Sequence, residues 1–170
     1  MAKGIHTEDT FEEAIETSLL ENGGYVEGYS KDFDAHHGVF PKYIIQFLQH
    51  TQPKQWDKLS NIHKDDVEDK VIARLLREID LRGVLDVLRN GFTDYGVKFK
   101  MAFFKPETSL NPDALELYNQ NHLSVTRQLY YERKGSNSLD LVLSLNGLPV
   151  ATIELKNQLS GQNVSNAKRQ

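Results

Sequence analysis

The stretch SLDLVLSLNGLPVATIELKN, residues 138–157, constrains the fold of this chain more than any other. Leu139, Leu141, Leu143 and Leu145 alternate with Asp140, Val142 and Ser144. After Asn146-Gly147, Ala151, Ile153 and Leu155 alternate with Val150, Thr152, Glu154 and Lys156. Period-two alternation on both sides of an Asn-Gly pair is the pattern of a β-hairpin with one aliphatic face. Its other face carries two carboxylates and an amine.

Register decides whether those carboxylates meet. A two-residue Asn146-Gly147 turn pairs Leu145 with Leu148 and Asp140 with Ile153, which sets Asp140 and Glu154 on opposite faces. A three-residue loop, Leu145-Asn146-Gly147 with Gly147 left-handed in a G1 bulge, pairs Asp140 with Thr152 and Glu154 with Ser138. The carboxylates are then diagonal neighbours, roughly 7–8 Å apart at the backbone. Matching the aliphatic rows of both strands selects the second register, because a one-residue slip turns one row to the polar side. Pro149 is tolerated just after a bulge or on an edge.

Converging carboxylates repel unless a cation neutralises them, and a hard divalent ion with oxygen ligands, Mg²⁺ above all, suits them. Lys156 stands on the same face as Glu154. Such a group can perform metal-assisted phosphodiester hydrolysis, the ammonium offsetting charge that develops on the reacting phosphate. The same pattern also suits an exposed antiparallel face with one ion pair. E-x-K alone selects nothing, since Glu68-Asp69-Lys70 and Glu132-Arg133-Lys134 share it. Only Glu154-Leu155-Lys156 lies in an apolar strand with an aspartate upstream.

The remainder reads as helices first, then strands. A helix is expected over 10–22, with Thr10 and Glu13 as a capping box, Phe11, Ala14, Ile15 and Leu19 as its apolar stripe, and Gly23-Gly24 as its stop. Residues 23–40 read as an irregular or partly extended connection. Helices open at Pro41 and Pro53. A long helical run covers 64–89, with Gly83 as a break or bend and Asn90-Gly91 as its end. Residues 97–104 (VKFKMAFF) read as a strand, 112–119 as a helix capped by Asn111, and 123–131, 138–145 and 150–156 as strands. Another helix is expected from Asn163. The fold class is therefore α/β or mixed α+β, a small mixed sheet flanked by helices. Residues 1–170 read as a single domain, mainly helical over 1–96 with the sheet and the site in 97–170, and as a fragment of a longer protein.

Composition restricts function less than it first suggests. The 20 Lys plus Arg against 24 Asp plus Glu give a net charge of −4, which argues against nucleic acid. The charge is uneven, however: residues 121–170 carry +3 and the first 120 carry −7. The positive segment contains the hairpin. The absence of cysteine excludes disulfides and thiolate metal sites and fits a reducing, cytoplasmic setting. No apolar run approaches the roughly 18 residues of a membrane span, so no membrane partner is expected.

At Leu139-Asp140, Asn146-Gly147, Pro149 and Glu154-Leu155-Lys156-Asn157 the chain resembles the PD-(D/E)xK nuclease core of the N-terminal domain of the restriction (motor) subunit of type I restriction-modification enzymes. The resemblance extends to the Phe11-Glu12-Glu13-Ala14-Ile15 helix, Gly24-Tyr25 and Ser160-Gly161-Gln162, and so covers most of the chain. It implies a restriction-endonuclease-like core and Mg²⁺-dependent cleavage of double-stranded DNA. It also implies a large ATP-driven complex with modification and specificity subunits. By this match Asp140 and Glu154 are metal ligands, Lys156 is the catalytic lysine, and Gln170 matches the glutamine of a Gln-x-x-x-Tyr signature. Leu139 replaces the proline that names the motif. No G-x-x-x-x-G-K-[ST] occurs, so the implied ATPase motor is not in these residues.

The family often adds a glutamate from the first helix, and Glu12, which shares a face with Ile15 and Leu19, is preferred to Glu13 and Glu16. Lys168 and Arg169 are expected at DNA phosphates, and Arg127 and Gln128 at the site or the DNA backbone. Asp32, Asp34, His36 and His37 read as a polar loop whose spacing matches no metal-ligand pattern. Alternatives are a standalone nuclease of the same superfamily in repair or defence, or a non-catalytic DNA-binding or assembly module that retains the fold.

Overall fold

The computed structural model describes residues 8–107, 111–132 and 137–155. The expected helix from Asn163, together with Lys156, Lys168, Arg169 and Gln170, lies outside the described residues. Two interleaved units make up the chain. One takes the segments before Val39, Leu123–Ser144 and the chain from Pro149; the other takes Val39–His122 and Leu145–Leu148. The fold class is mixed α+β with a small mixed sheet flanked by helices.

The first unit pairs helix α1 (Glu8–Asn22) with most of a four-stranded sheet. Its strands are β1 (Val26–Glu27), β4 (Leu123–Tyr130), β5 (Ser138–Leu145) and β6 (Leu148–Ile153), in that spatial order. Helix α1 is already running at Glu8, so Thr10 and Glu13 lie inside it rather than forming the expected capping box. Its inner face is also displaced from the expected stripe. Phe11 is 59% exposed, while Ile15 and Leu19 pack with Tyr25, Val125, Leu141, Leu143, Ile153 and Leu155. Both aliphatic rows of the hairpin thus contribute to one apolar cluster. Strand β1, in the segment read as irregular or partly extended, runs parallel to β4 with Val26 opposite Ser124.

The second unit contains α2 (Pro41–Thr51), α3 (Pro53–His63), α4 (Val67–Arg82), α5 (Val84–Asn90), the hairpin β2 (Phe92–Asp94) and β3 (Val97–Phe99), and α6 (Pro112–Asn119). Pro41, Pro53 and Pro112 each sit in a first helical turn, and the Asn111 side chain accepts from Ala114 N, as expected of such starts. Gly83, at φ 82, breaks the long helical run, a conformation open to glycine at little cost. Ile44, Leu48, Leu59, Val71, Leu75, Val87, Phe99 and Met101 are buried at its core. No helix among the described residues is long and apolar enough to cross a membrane.

The strand expected over 97–104 stops at Phe99. Beyond it, side-chain amides replace a ladder. Gln52 Oε1 accepts from Lys100 N (2.7 Å) and Gln52 Nε2 donates to Lys100 O (2.9 Å). Asn121 likewise accepts from Phe103 N (3.1 Å) and donates to Phe103 O. Because these bonds satisfy the backbone, the apolar residues Met101–Phe103 can be buried without a neighbouring strand.

Candidate active site

The β5–β6 turn differs from the expected three-residue loop. Asn146 (φ 52) and Gly147 (φ 86) are both left-handed, the combination of a two-residue type I′ turn, whereas the bulged loop requires a negative φ at Asn146. The reason is tertiary. The Asn146 side chain is fully buried and accepts from His122 N (2.7 Å) while donating to Met101 O (2.9 Å) and Asn121 Oδ1 (3.0 Å). Gly147 O accepts from Phe40 N. A side chain at Gly147 would collide with Phe40 O and Ile44.

Strict pairing from this turn would separate Asp140 from Glu154, but the ladder ends at Ile153. Past that point a side chain takes over: Leu155 N donates to Asp140 Oδ2 at 2.6 Å. The half-buried Asp140 thereby lies against the backbone of the residue that follows the exposed Glu154. An ionised carboxylate has about four lone-pair positions, so one such bond orients Asp140 and leaves acceptor capacity. Asp140 and Glu154 are both oxygen donors, the ligand type that a hard divalent cation takes. Among the described residues there is no group of three or more His, Cys, Asp or Glu side chains able to hold a metal ion. Asp34, with His36 and His37, forms a local turn instead. The His37 ring hydrogen bond (2.5 Å) holds the Asp34 carboxyl below the usual range, against a smaller opposing effect of burial.

Helix α1 turns Glu12, Ile15, Glu16 and Leu19 inward, at i, i+3, i+4 and i+7 spacing. Glu12 is 2% exposed, Glu16 is half-buried and Glu13 is exposed. A buried carboxylate requires partners, and β4 supplies them. Gln128 Nε2 lies 3.0 Å from both Glu12 oxygens. Arg127 Nε is 3.5 Å from Glu12 Oε2, and its Nη1 is 3.3 Å from Glu16 Oε2. Arg127, expected at the site or the DNA backbone, is engaged with two glutamates inside this unit.

Consecutive strand residues normally point to opposite faces. Gln128 is left-handed (φ 46), and this local break turns both Arg127 and Gln128 toward α1. Gln128 Oε1 also accepts from Ser138 Oγ at 2.8 Å. Ser138 opens β5 two residues before Asp140, so polar contacts run unbroken from α1 through β4 to the strand that carries Asp140. Sequence reasoning ranked Glu16 below Glu12 and gave Ser138 no role beyond a strand pairing. The helical spacing of Glu16 was a usable signal, whereas the Ser138 contact depends on the irregularity at Gln128.

Residues 6–170 match the family model described as type I restriction enzyme R protein N terminus. No curated protein and no solved structure matched the chain. The match spans the α1 glutamates, the β5–β6 hairpin and the Glu154-Leu155-Lys156 segment together, and the chain belongs to the family of type I restriction enzyme R protein N-terminal regions.

Proposed function

We propose that this chain is a Mg²⁺-dependent endonuclease domain that cleaves phosphodiester bonds of double-stranded DNA within a type I restriction-modification complex. Modification and specificity subunits and an ATP-driven motor outside these residues complete that complex. The observation that carries the reading is the hydrogen bond from Leu155 N to Asp140 Oδ2, which brings the β5 carboxylate beside the Glu154 segment. In this reading Asp140 and Glu154 hold the cation. When bound, Mg²⁺ supplies Lewis-acid polarisation of the phosphoryl oxygen and a more acidic water. Lys156 offsets negative charge at the reacting phosphate, and the glutamine at Gln170 and the cations at Lys168 and Arg169 act from the following segment. Glu12, held by Gln128 and Arg127, completes the acidic side.

The test is Asp140→Ala, and in parallel Lys156→Ala, in the complete R subunit assembled with its partner subunits. DNA cleavage should fall by at least about 10²-fold, with ATP hydrolysis retained. Undiminished cleavage by Asp140→Ala would refute the site, and concurrent loss of ATP hydrolysis would refute the division of labour.

A further inference from the structure

A cleft of about 500 Å³ opens among α3, α4 and the β2–β3 hairpin, lined by His63, Lys70, Arg74, Arg77, Asp94 and Tyr95 among others. Lys70, Arg74 and Arg77 fall at i, i+4 and i+7, hence on one face of α4. The acid among these residues, Asp94, is occupied: its Oδ2 lies 2.7 Å from His63 Nε2, and both side chains are 10% exposed. Arg74 is fixed by Nε donating to Thr93 O (3.0 Å) and by Glu78. Lys70 Nζ donates to His63 O and Asp65 O, two neutral carbonyls, which leaves its charge unneutralised. Arg77 is exposed and has no hydrogen-bond or ion-pair partner among the described residues. Tyr95, 72% exposed and edge-on to His63 at 5.2 Å, stands at the rim.

Glu78 offsets the charge of Arg74, whereas Lys70 and Arg77 carry uncompensated charge two turns apart on this face, which a bound polyanion would neutralise. Seven residues of α-helix rise about 10 Å, close to three nucleotide steps of one DNA strand. We infer that the Lys70–Arg74–Arg77 face is a contact for the phosphate backbone of double-stranded DNA, independent of sequence. The inference rests on DNA being the partner proposed above, but it concerns residues that take no part in the proposed chemistry.

The test is duplex binding by the complete chain, followed by fluorescence anisotropy without divalent cations, between about 50 and 200 mM salt. The variants are Lys70→Gln/Arg77→Gln and the single Arg77→Glu, both at exposed positions and checked by circular dichroism. A control, Lys54→Gln/Lys58→Gln on α3, removes the same charge elsewhere in the unit. The double variant should flatten the slope of log affinity against log salt by about 2, equivalent to about eightfold in affinity per contact at 0.1 M salt. The control should keep the original slope.

Equal slopes in all folded variants, or an equal loss in the control, would overturn the assignment. It would also fall if orthophosphate alone raised the melting temperature of the unaltered chain but not of the variants, with duplex binding the same in all; the cleft would then take a free anion. Loss of assembly with the other subunits at unchanged duplex affinity would identify an acidic protein surface and likewise overturn it. A complex that failed to cleave DNA but showed the slope change would refute the nuclease reading and support this one.

Discussion

Replacing Asn146 tests how the hairpin tip is held. Its side chain is fully buried and makes three hydrogen bonds, to His122 N, Met101 O and Asn121 Oδ1, at 2.7, 2.9 and 3.0 Å. Each is worth about 1 kcal/mol net, so Asn146→Ala loses about 3 kcal/mol. Alanine held at φ 52 adds about 1 kcal/mol more. The total, about 4 kcal/mol, is a large part of the roughly 5–15 kcal/mol that stabilises a typical domain. Urea unfolding followed through Trp56, which is the chain's single tryptophan and is buried in the same unit, should show a midpoint lower by about 2 M for an m-value near 2 kcal/mol/M.

Asn146→Asp sharpens the test. It keeps the acceptor for His122 N and tolerates a left-handed φ, but it turns an oxygen toward Met101 O and Asn121 Oδ1. Asn121 cannot readily reorient, because its amide is committed to Phe103 N, Phe103 O and Tyr118 O. Burial and the facing oxygens raise the pKa of the introduced carboxyl. A raised folded-state pKa means that stability is retained at low pH, where the protonated acid donates a hydrogen bond, and is lost as pH rises through that value. The aspartate variant should therefore be less stable at pH 8 than at pH 5, relative to the unaltered chain. A loss under about 1 kcal/mol for Asn146→Ala, or an aspartate variant equally stable at both pH values, would refute the reasoning.

Two further outcomes follow from ionisable groups wholly or partly removed from solvent. Glu12→Ala leaves Gln128 and part of Arg127 without their partner. Arg127 is 31% exposed and keeps Glu16, so the loss should be about 2 kcal/mol, below the 3–5 kcal/mol of a fully buried pair; thermal unfolding unchanged by this variant would contradict the α1–β4 network. Burial pushes the His122 imidazole below its usual pKa of 6.5, so the unfolded chain binds the proton more readily. The contribution of His122 to stability is then complete above pH 6.5 and declines as pH falls from there toward the lowered folded-state value. His122→Gln should flatten that decline in urea midpoints, and an unaltered pH profile would disprove the assignment.

How much was readable in advance can be argued from single elements. Strand β5 runs over Ser138–Leu145 as its alternation requires, and α6 begins at Pro112 behind Asn111. Both rest on local chemistry: period-two patterning for one, a side-chain cap and a proline first turn for the other. Helical spacing set Glu12 on the face of Ile15 and Leu19, and Glu12 is buried there. Phe11 failed as a core residue because the stripe was drawn through hydrophobicity alone. The true inner face includes two glutamates, which only Arg127 and Gln128 on β4 make tolerable.

The sequence by itself determined the helices, the β5–β6 hairpin, the family and the residues eligible for chemistry, since these follow from periodicity and side-chain identity. Only the tertiary structure decided where those residues lie. The turn at Asn146-Gly147 is type I′ because His122, Met101 and Asn121 bind the asparagine. The segment after Phe99 leaves the strand because Gln52 and Asn121 satisfy its backbone. Asp140 reaches the Glu154 segment through Leu155 N rather than through strand register. In each case a buried polar group takes a partner from a distant part of the chain, and such pairings have no local signature.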